Sequence, residues 1–205
     1  MSKAKIDLVV LVADADTESV MRTLLEERHR ALNIREIEFR IIRDPGRDSG
    51  VYKRADSLLR PYFRIAEHAL VILDRVGSGQ EHKLSAQEIE TDLEDRLRRS
   101  GWQSNGCAAI VIDPELELWV WSRSPHVPHT LGLDENSLEQ VLTRVGCSAS
   151  GKPSDPKSAL QAALRQARRP LSSAIFKELA SRVSLASTNE RAFNKLRSTL
   201  QRWFP

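Results

Sequence analysis

The feature that most constrains this chain is a set of three short aliphatic runs that each close on an aspartate. Ile6 to Ala13 precedes Asp14, Ala69 to Leu73 precedes Asp74, and Cys107 to Ile112 precedes Asp113. A run that is apolar at nearly every position reads as a strand buried on both faces, and such strands belong to a parallel sheet covered by helices. Ile37 to Ile42 (IEFRII) alternates instead, so it reads as a second strand nearer the sheet edge.

Helical patterns fill the intervals. Val20, Met21, Leu24 and Leu25 repeat on one face of a helix expected over Thr17 to Arg30, with Asp16 as its N-cap. The segment RDPGRDSG, Arg43 to Gly50, is rich in turn formers and reads as a loop leading into a helix from Tyr52 to Leu59 that stops before Pro61. Ser85 with Glu88 forms a capping box for a helix closed by Gly101, and Pro114 is expected to open a short helix carrying ELELWVWS. The order βαβαβαβ predicts an α/β protein with a mostly parallel central sheet of about four strands flanked by helices.

Beyond Ser122 strand signals cease. SPHVPHTLG reads as a loop, Asp134 to Val145 as a helix, and Gly146 to Asp155 as a small polar linker; Asp155 and Pro156 then start a helix ended by Pro170. Two amphipathic helices, Ser172 to Val183 and Asn189 to Trp203, complete the chain. The expected organisation is an α/β domain over residues 1–122 with a helical C-terminal extension, 123–205, packed on it.

Composition excludes several classes. With 31 Lys and Arg against 28 Asp and Glu, the net charge of +3 is too small to indicate nucleic-acid binding by itself. Cys107 and Cys147 have no metal-ligand or disulfide spacing and are expected to be small buried residues. The N-terminal apolar run is too short to span a membrane and lacks a small-residue cleavage site, so the expectation is a cytoplasmic protein with no membrane partner.

In parallel α/β sheets ligands bind beyond the carboxyl ends of the strands. Asp14, Asp74 and Asp113 therefore mark one candidate crevice, with Asp16, Glu18, Glu115 and Glu117 within about a turn of them. Glu117 lies four residues after Asp113 and shares its face if Pro114 to Ser122 is helical. Each acid alone is more simply explained as a helix cap or turn residue. Together they repel unless a cation sits between them, and oxygen-only ligands suit Mg²⁺ or Mn²⁺.

Three stretches, Asp14-Ala15-Asp16-Thr17-Glu18, Leu73-Asp74-Arg75-Val76 and Glu115-Leu116-Glu117-Leu118-Trp119, carry a family resemblance over roughly residues 5 to 122. The chain resembles the TOPRIM fold of topoisomerases, primases and overcoming-lysogenization-defect nucleases. It is most similar to the small TOPRIM-like proteins of bacterial defence islands, and the whole chain looks like a component of methylation-associated phage-defence systems. The resemblance implies a Rossmann-like TOPRIM-type sheet whose acids hold a metal for phosphodiester chemistry. Carried over, it makes Asp14, Glu18, Asp74 and Glu117 catalytic candidates and Asp14, Asp74, Asp113 and Glu117 metal ligands for Mg²⁺. The chain departs from the pattern at Asp14, where the family has Glu, at Ala15, where it has Gly, and at Val76, where it has a second acid. The last departure removes one metal ligand.

Other residues admit two readings. Glu81, His82 and Lys83 either lean over the crevice or form a plain polar loop, and His126 and His129, flanking Val127-Pro128, are either a surface loop or a ligand pair. Gly77-Ser78-Gly79 lacks the company of a nucleotide-binding motif. Trp119 and Trp121 are expected to plug the joint between the two parts of the chain, base stacking being the alternative. Basic residues gather late (Lys152, Lys157, Arg165, Arg168, Arg169, Lys177, Arg182, Arg191, Lys195, Arg197, Arg202) and form either a surface for a phosphate backbone or ordinary solvated helix faces. Two functions follow: a Mg²⁺-dependent nuclease of an anti-phage system, or a catalytically degenerate subunit that binds nucleic acid or other defence proteins.

Overall fold

The computed structural model describes residues 6–122, 124–147, 152–183 and 190–205. Four strands, β1 (Ile6–Val12), β2 (Phe39–Arg43), β3 (Ala66–Asp74) and β4 (Cys107–Ile112), form one sheet in the order β2-β1-β3-β4. Every pairing is parallel, so the α/β expectation holds and the alternating strand, β2, takes an edge. β1 and β3 are central, and their aliphatic stretches Leu8 to Val12 and Ala69 to Leu73 are buried throughout.

The two faces of the sheet follow the two-residue period of the strands. Val9, Leu11, Ala69, Val71, Ala109 and Val111 pack against α3 (Arg47–Leu59) and α4 (Ala86–Arg99). Leu8, Val10, Val12, Leu70, Ile72, Ile110 and Ile112 share a second cluster with α1 (Ala15–Glu26) and with α7 (Pro156–Gln166), α8 (Ser173–Arg182) and α9 (Arg191–Trp203). The C-terminal helices thus bury one face of the sheet. Trp121 is buried there and donates its indole N–H to the Pro156 carbonyl at 3.0 Å. Trp119 meets Phe193 edge to face with ring centroids 5.4 Å apart, so the tryptophans do fill this joint.

Several boundaries differ from expectation. The N-cap of α1 is Asp14, not Asp16: its Oδ1 accepts from Thr17 N–H at 2.8 Å, and Asp16 instead accepts from the Ser173 hydroxyl of α8. That helix ends at Glu26 and a separate short turn, α2 (His29–Leu32), follows. α3 begins at Arg47, five residues before Tyr52, because buried Asp44 organises the preceding turn. Asp44 Oδ1 accepts from Gly46 N–H at 2.7 Å and the carboxylate is clasped by Arg54. Gly50 makes this possible, since a Cβ there would lie 2.7 Å from Asp44 Oδ1.

Pro114 opens no helix. It precedes a 3₁₀ turn over Leu116–Trp119, so Asp113 and Glu117 share no helical face. SPHVPHTLG contains a short helix, α5 (His126–Leu131), in which Val127, Pro128, Thr130 and Leu131 are buried, and α6 (Glu135–Val145) follows as expected with Asp134 as its cap. Cys107 is buried but Cys147 is exposed, because it sits past the end of α6 in a bridge to Pro153. The middle of the expected 146–155 linker and the expected helix start at Asn189 lie outside the described residues.

Candidate functional site

Strand register decides which acids meet. β1 and β3 pair Val12 with Ile72, and β3 and β4 pair Asp74 with Ile112. Continuing the first register by two residues sets Asp14 level with Asp74, on the phase that faces the C-terminal helices. Asp113 falls one residue past Ile112 and takes the opposite phase. It lies level with Arg75 and pairs with that guanidinium at 2.8 Å, with its side chain 44% exposed. Asp113 is therefore not a corner of the crevice, which corrects its place in the ligand set. Glu18 also stands aside: one turn into α1, it pairs with Arg22 at 3.2 Å and lies 3.9 Å from Arg43.

The crevice at the carboxyl ends of β1 and β3 is an open cleft of about 800 Å³ lined by Asp14, Asp16, Asp48, Asp74, Glu115 and Glu117, with Arg43, Arg47 and Lys157 among them. Asp48 was not singled out by sequence. It lies in the first turn of α3, where its Oδ1 accepts from the Asp74 backbone N–H at 2.8 Å. Glu115 and Glu117, 8% and 7% exposed, enter from the turn after β4.

Asp74 is the centre of the cluster. Burial, and then the charges of Asp48, Glu117 and Asp14, push its carboxyl well above the usual carboxylate range, although the Leu116 backbone N–H donates to it. Its Oδ1 is buried without a hydrogen-bond partner. Burial likewise raises Asp48, with the Asp14 charge adding to it, and raises Glu117 despite the opposing ammonium of Lys157. Lys157 comes from α7. Its Nζ lies 3.1 Å from Glu115 Oε2 and 3.8 Å from Glu117 Oε1, and although burial opposes its charge, those carboxylates and Asp74 raise its pKa.

The donor set is all oxygen and its net charge is negative, which fits a hard divalent cation. Among the described residues no three His, Cys, Asp or Glu side chains form a ready metal cage. A hydrated Mg²⁺ needs only one or two carboxylates and keeps several waters, so the orphaned Asp74 oxygen beside Asp14, Asp48 and Glu117 meets that requirement.

The surrounding candidates distribute differently. Arg75 Nη1 donates to the Glu81 carbonyl at 2.6 Å, which ties down the start of the Glu81-His82-Lys83 loop, and none of these three lines the crevice. His126 and His129 lie in α5, also off the crevice. Many late basic residues serve the fold: Arg191 and Lys195 pair with Glu90, Lys195 also with Glu94, Lys177 with Glu27, Arg182 with Glu178, and Arg169 donates to the Thr130 carbonyl. Compared with family models, curated proteins and solved structures, the chain matches none. Among the described residues no helix is long and apolar enough to cross a membrane.

Proposed function

We propose that the crevice handles phosphodiesters with Mg²⁺, in the manner of the TOPRIM-like defence proteins the sequence resembles. The observation that carries this reading is the buried Asp74 carboxylate, unpartnered at Oδ1, beside Asp14, Asp48 and Glu117. Asp74 with Glu117 or Asp14 would hold the cation. When bound, Mg²⁺ supplies Lewis-acid stabilisation of charge on a phosphate. The protein's own groups divide the remaining work. Arg43 and Arg47, both exposed on the rim, neutralise phosphate oxygens. Where Asp14 and not Glu117 completes the cation site, Glu117, its pKa raised by burial, is suited to accept a proton from a water in the cleft. Lys157 balances the acids and keeps the C-terminal helices in register with them.

The test is calorimetric titration with Mg²⁺, together with cleavage of single- and double-stranded DNA and RNA, for wild type, Asp74→Asn and Glu117→Gln. Mg²⁺ binding and cleavage that both variants lose support the reading. An absence of both in the wild type removes it.

A second reading rests on Val76, which occupies the position of the family's second acid and is 45% exposed, and on Lys157, which already places a cation beside Glu115 and Glu117. Here the crevice is catalytically degenerate and the protein serves a defence complex by binding nucleic acid or other proteins. Anti-phage protection that survives Asp74→Asn in cells supports this second reading over the first.

A further inference from the structure

Large apolar side chains that stay exposed are informative when they gather at one place. Among the described residues these are Phe63, Val76 and Leu171, at 39%, 45% and 44% exposure, and two of them, Val76 and Leu171, line the acidic crevice. They arrive from different parts of the chain, Val76 after β3 and Leu171 between α7 and α8. Val76 is held in place by its backbone N–H, which donates to the Pro114 carbonyl at 3.1 Å. The next residue, Gly77, has a positive φ of 91°, and a Cβ there would lie 3.4 Å from Asp48 Oδ2, so this loop packs directly on the first turn of α3. That turn begins with Arg47, a non-glycine residue at φ 54° whose exposed side chain lines the same cleft. A left-handed arginine is strained, and such strain persists where the surroundings enforce it, as at ligand clamps.

The cleft therefore offers three chemistries together: acids around an unpartnered carboxylate oxygen, exposed arginines, and two apolar side chains exposed to solvent. A cation, a phosphate and a flat apolar body correspond to these. The late basic residues engaged in intramolecular pairs, Arg191, Lys195, Lys177 and Arg182, leave less charge for tracking a long duplex backbone.

We infer that the cleft takes a nucleoside phosphate, with its base against Val76 and Leu171, its phosphate at Arg43 and Arg47, and a divalent cation at Asp74. The ligand is a free nucleotide or the unpaired end of a strand, and the interior of a duplex, whose bases are stacked, does not fit. This deepens the phosphodiester reading and rests on its assignment of the crevice to phosphate and Mg²⁺.

Binding is measured by calorimetry with Mg²⁺ present, using adenosine monophosphate, ribose phosphate without a base, a short phosphorylated single strand, and a covalently closed duplex circle. Adenosine monophosphate is expected to bind about tenfold tighter than ribose phosphate, the worth of partly covering two aliphatic side chains. Val76→Asp and Leu171→Asp should each erase that advantage, whereas Arg47→Ala should weaken both ligands alike. A strand that binds more tightly than the mononucleotide identifies the strand end as the ligand, and equal affinity identifies the free nucleotide. Equal binding of ribose phosphate, a base preference indifferent to both aspartates, or preference for the closed circle overturns the inference. A base preference without any cleavage would leave the inference standing while the hydrolytic reading fails.

Discussion

Replacing Asp74 by Asn should make the protein more stable and at the same time insensitive to Mg²⁺. Burial and the neighbouring carboxylates raise the Asp74 pKa well above its ordinary 3.8, so the folded state binds a proton that the unfolded chain releases earlier. The stability this group confers is complete below that ordinary value and is lost as pH rises through the raised one. As pH rises through that raised value the carboxyl ionises at a place where no donor reaches its Oδ1, a cost of about 1–3 kcal/mol. Asn keeps the shape, removes the charge and turns the orphan position into a donor toward the adjacent acids. For 205 residues the unfolding entropy near the midpoint is about 0.4 kcal/mol/K, so Asp74→Asn should raise Tm by about 2–7 °C. The two proteins should converge in acid. Mg²⁺ at about a hundred times its Kd should return about 2.7 kcal/mol to the wild type and little to the variant. Differential scanning calorimetry over pH, with and without Mg²⁺, reads all three effects. A variant that melts below the wild type near neutral pH, a gap of equal size in acid, or an equal response to Mg²⁺ refutes the reasoning.

Three further perturbations separate site from scaffold. Asp113→Asn breaks only a half-exposed pair with Arg75, so it should change stability by under about 0.5 kcal/mol and leave Mg²⁺ binding intact; a lost Mg²⁺ isotherm would return Asp113 to the crevice. Arg191→Ala strips the main partner from Glu90, which is 3% exposed, and leaves the Val111 carbonyl without its donor. Urea unfolding should show a loss of about 2–3 kcal/mol, held below the full cost of a broken buried pair because Lys195 remains. Val20→Ile should extend into the cavity of about 50 Å³ between α1, Trp119, Phe176 and Phe193 and stabilise by about 0.5–1 kcal/mol, and a lowered midpoint would show that the cavity cannot admit a methyl group.

Much of the scaffold was legible in the residues. Doubly buried strands, the Ser85–Glu88 box and the Asp155–Pro156 start are local signals, and the structure realises them locally. The site was legible in part. Asp14, Asp74 and Glu117 line one cleft, but Asp113 stands outside it because its place depends on phase: one residue beyond Ile112 reverses the side of the sheet. Asp48 was hidden for a different reason. The turn formers from Arg43 to Gly50 describe a loop until buried Asp44 and its contact over Gly50 convert them into the start of a helix, and that contact cannot be read from neighbours in sequence. Charge counting likewise saw the C-terminal cations without their partners Glu27, Glu90 and Glu94, which lie far away along the chain.

The arrangement around Glu90 has a consequence for how the sheet ends. β4 is an outer strand, and the pairing groups such a strand leaves open are a template for another chain. Here Val111 N–H donates to Glu90 at 2.8 Å, Ala109 N–H donates to Glu94 at 3.1 Å, and the Val111 carbonyl accepts from Arg191 at 2.6 Å. Side chains thus occupy the positions a fifth strand would need. Growth of the sheet on that flank is blocked, and a partner that joins by strand addition must displace these side chains of α4 and α9 before it can pair.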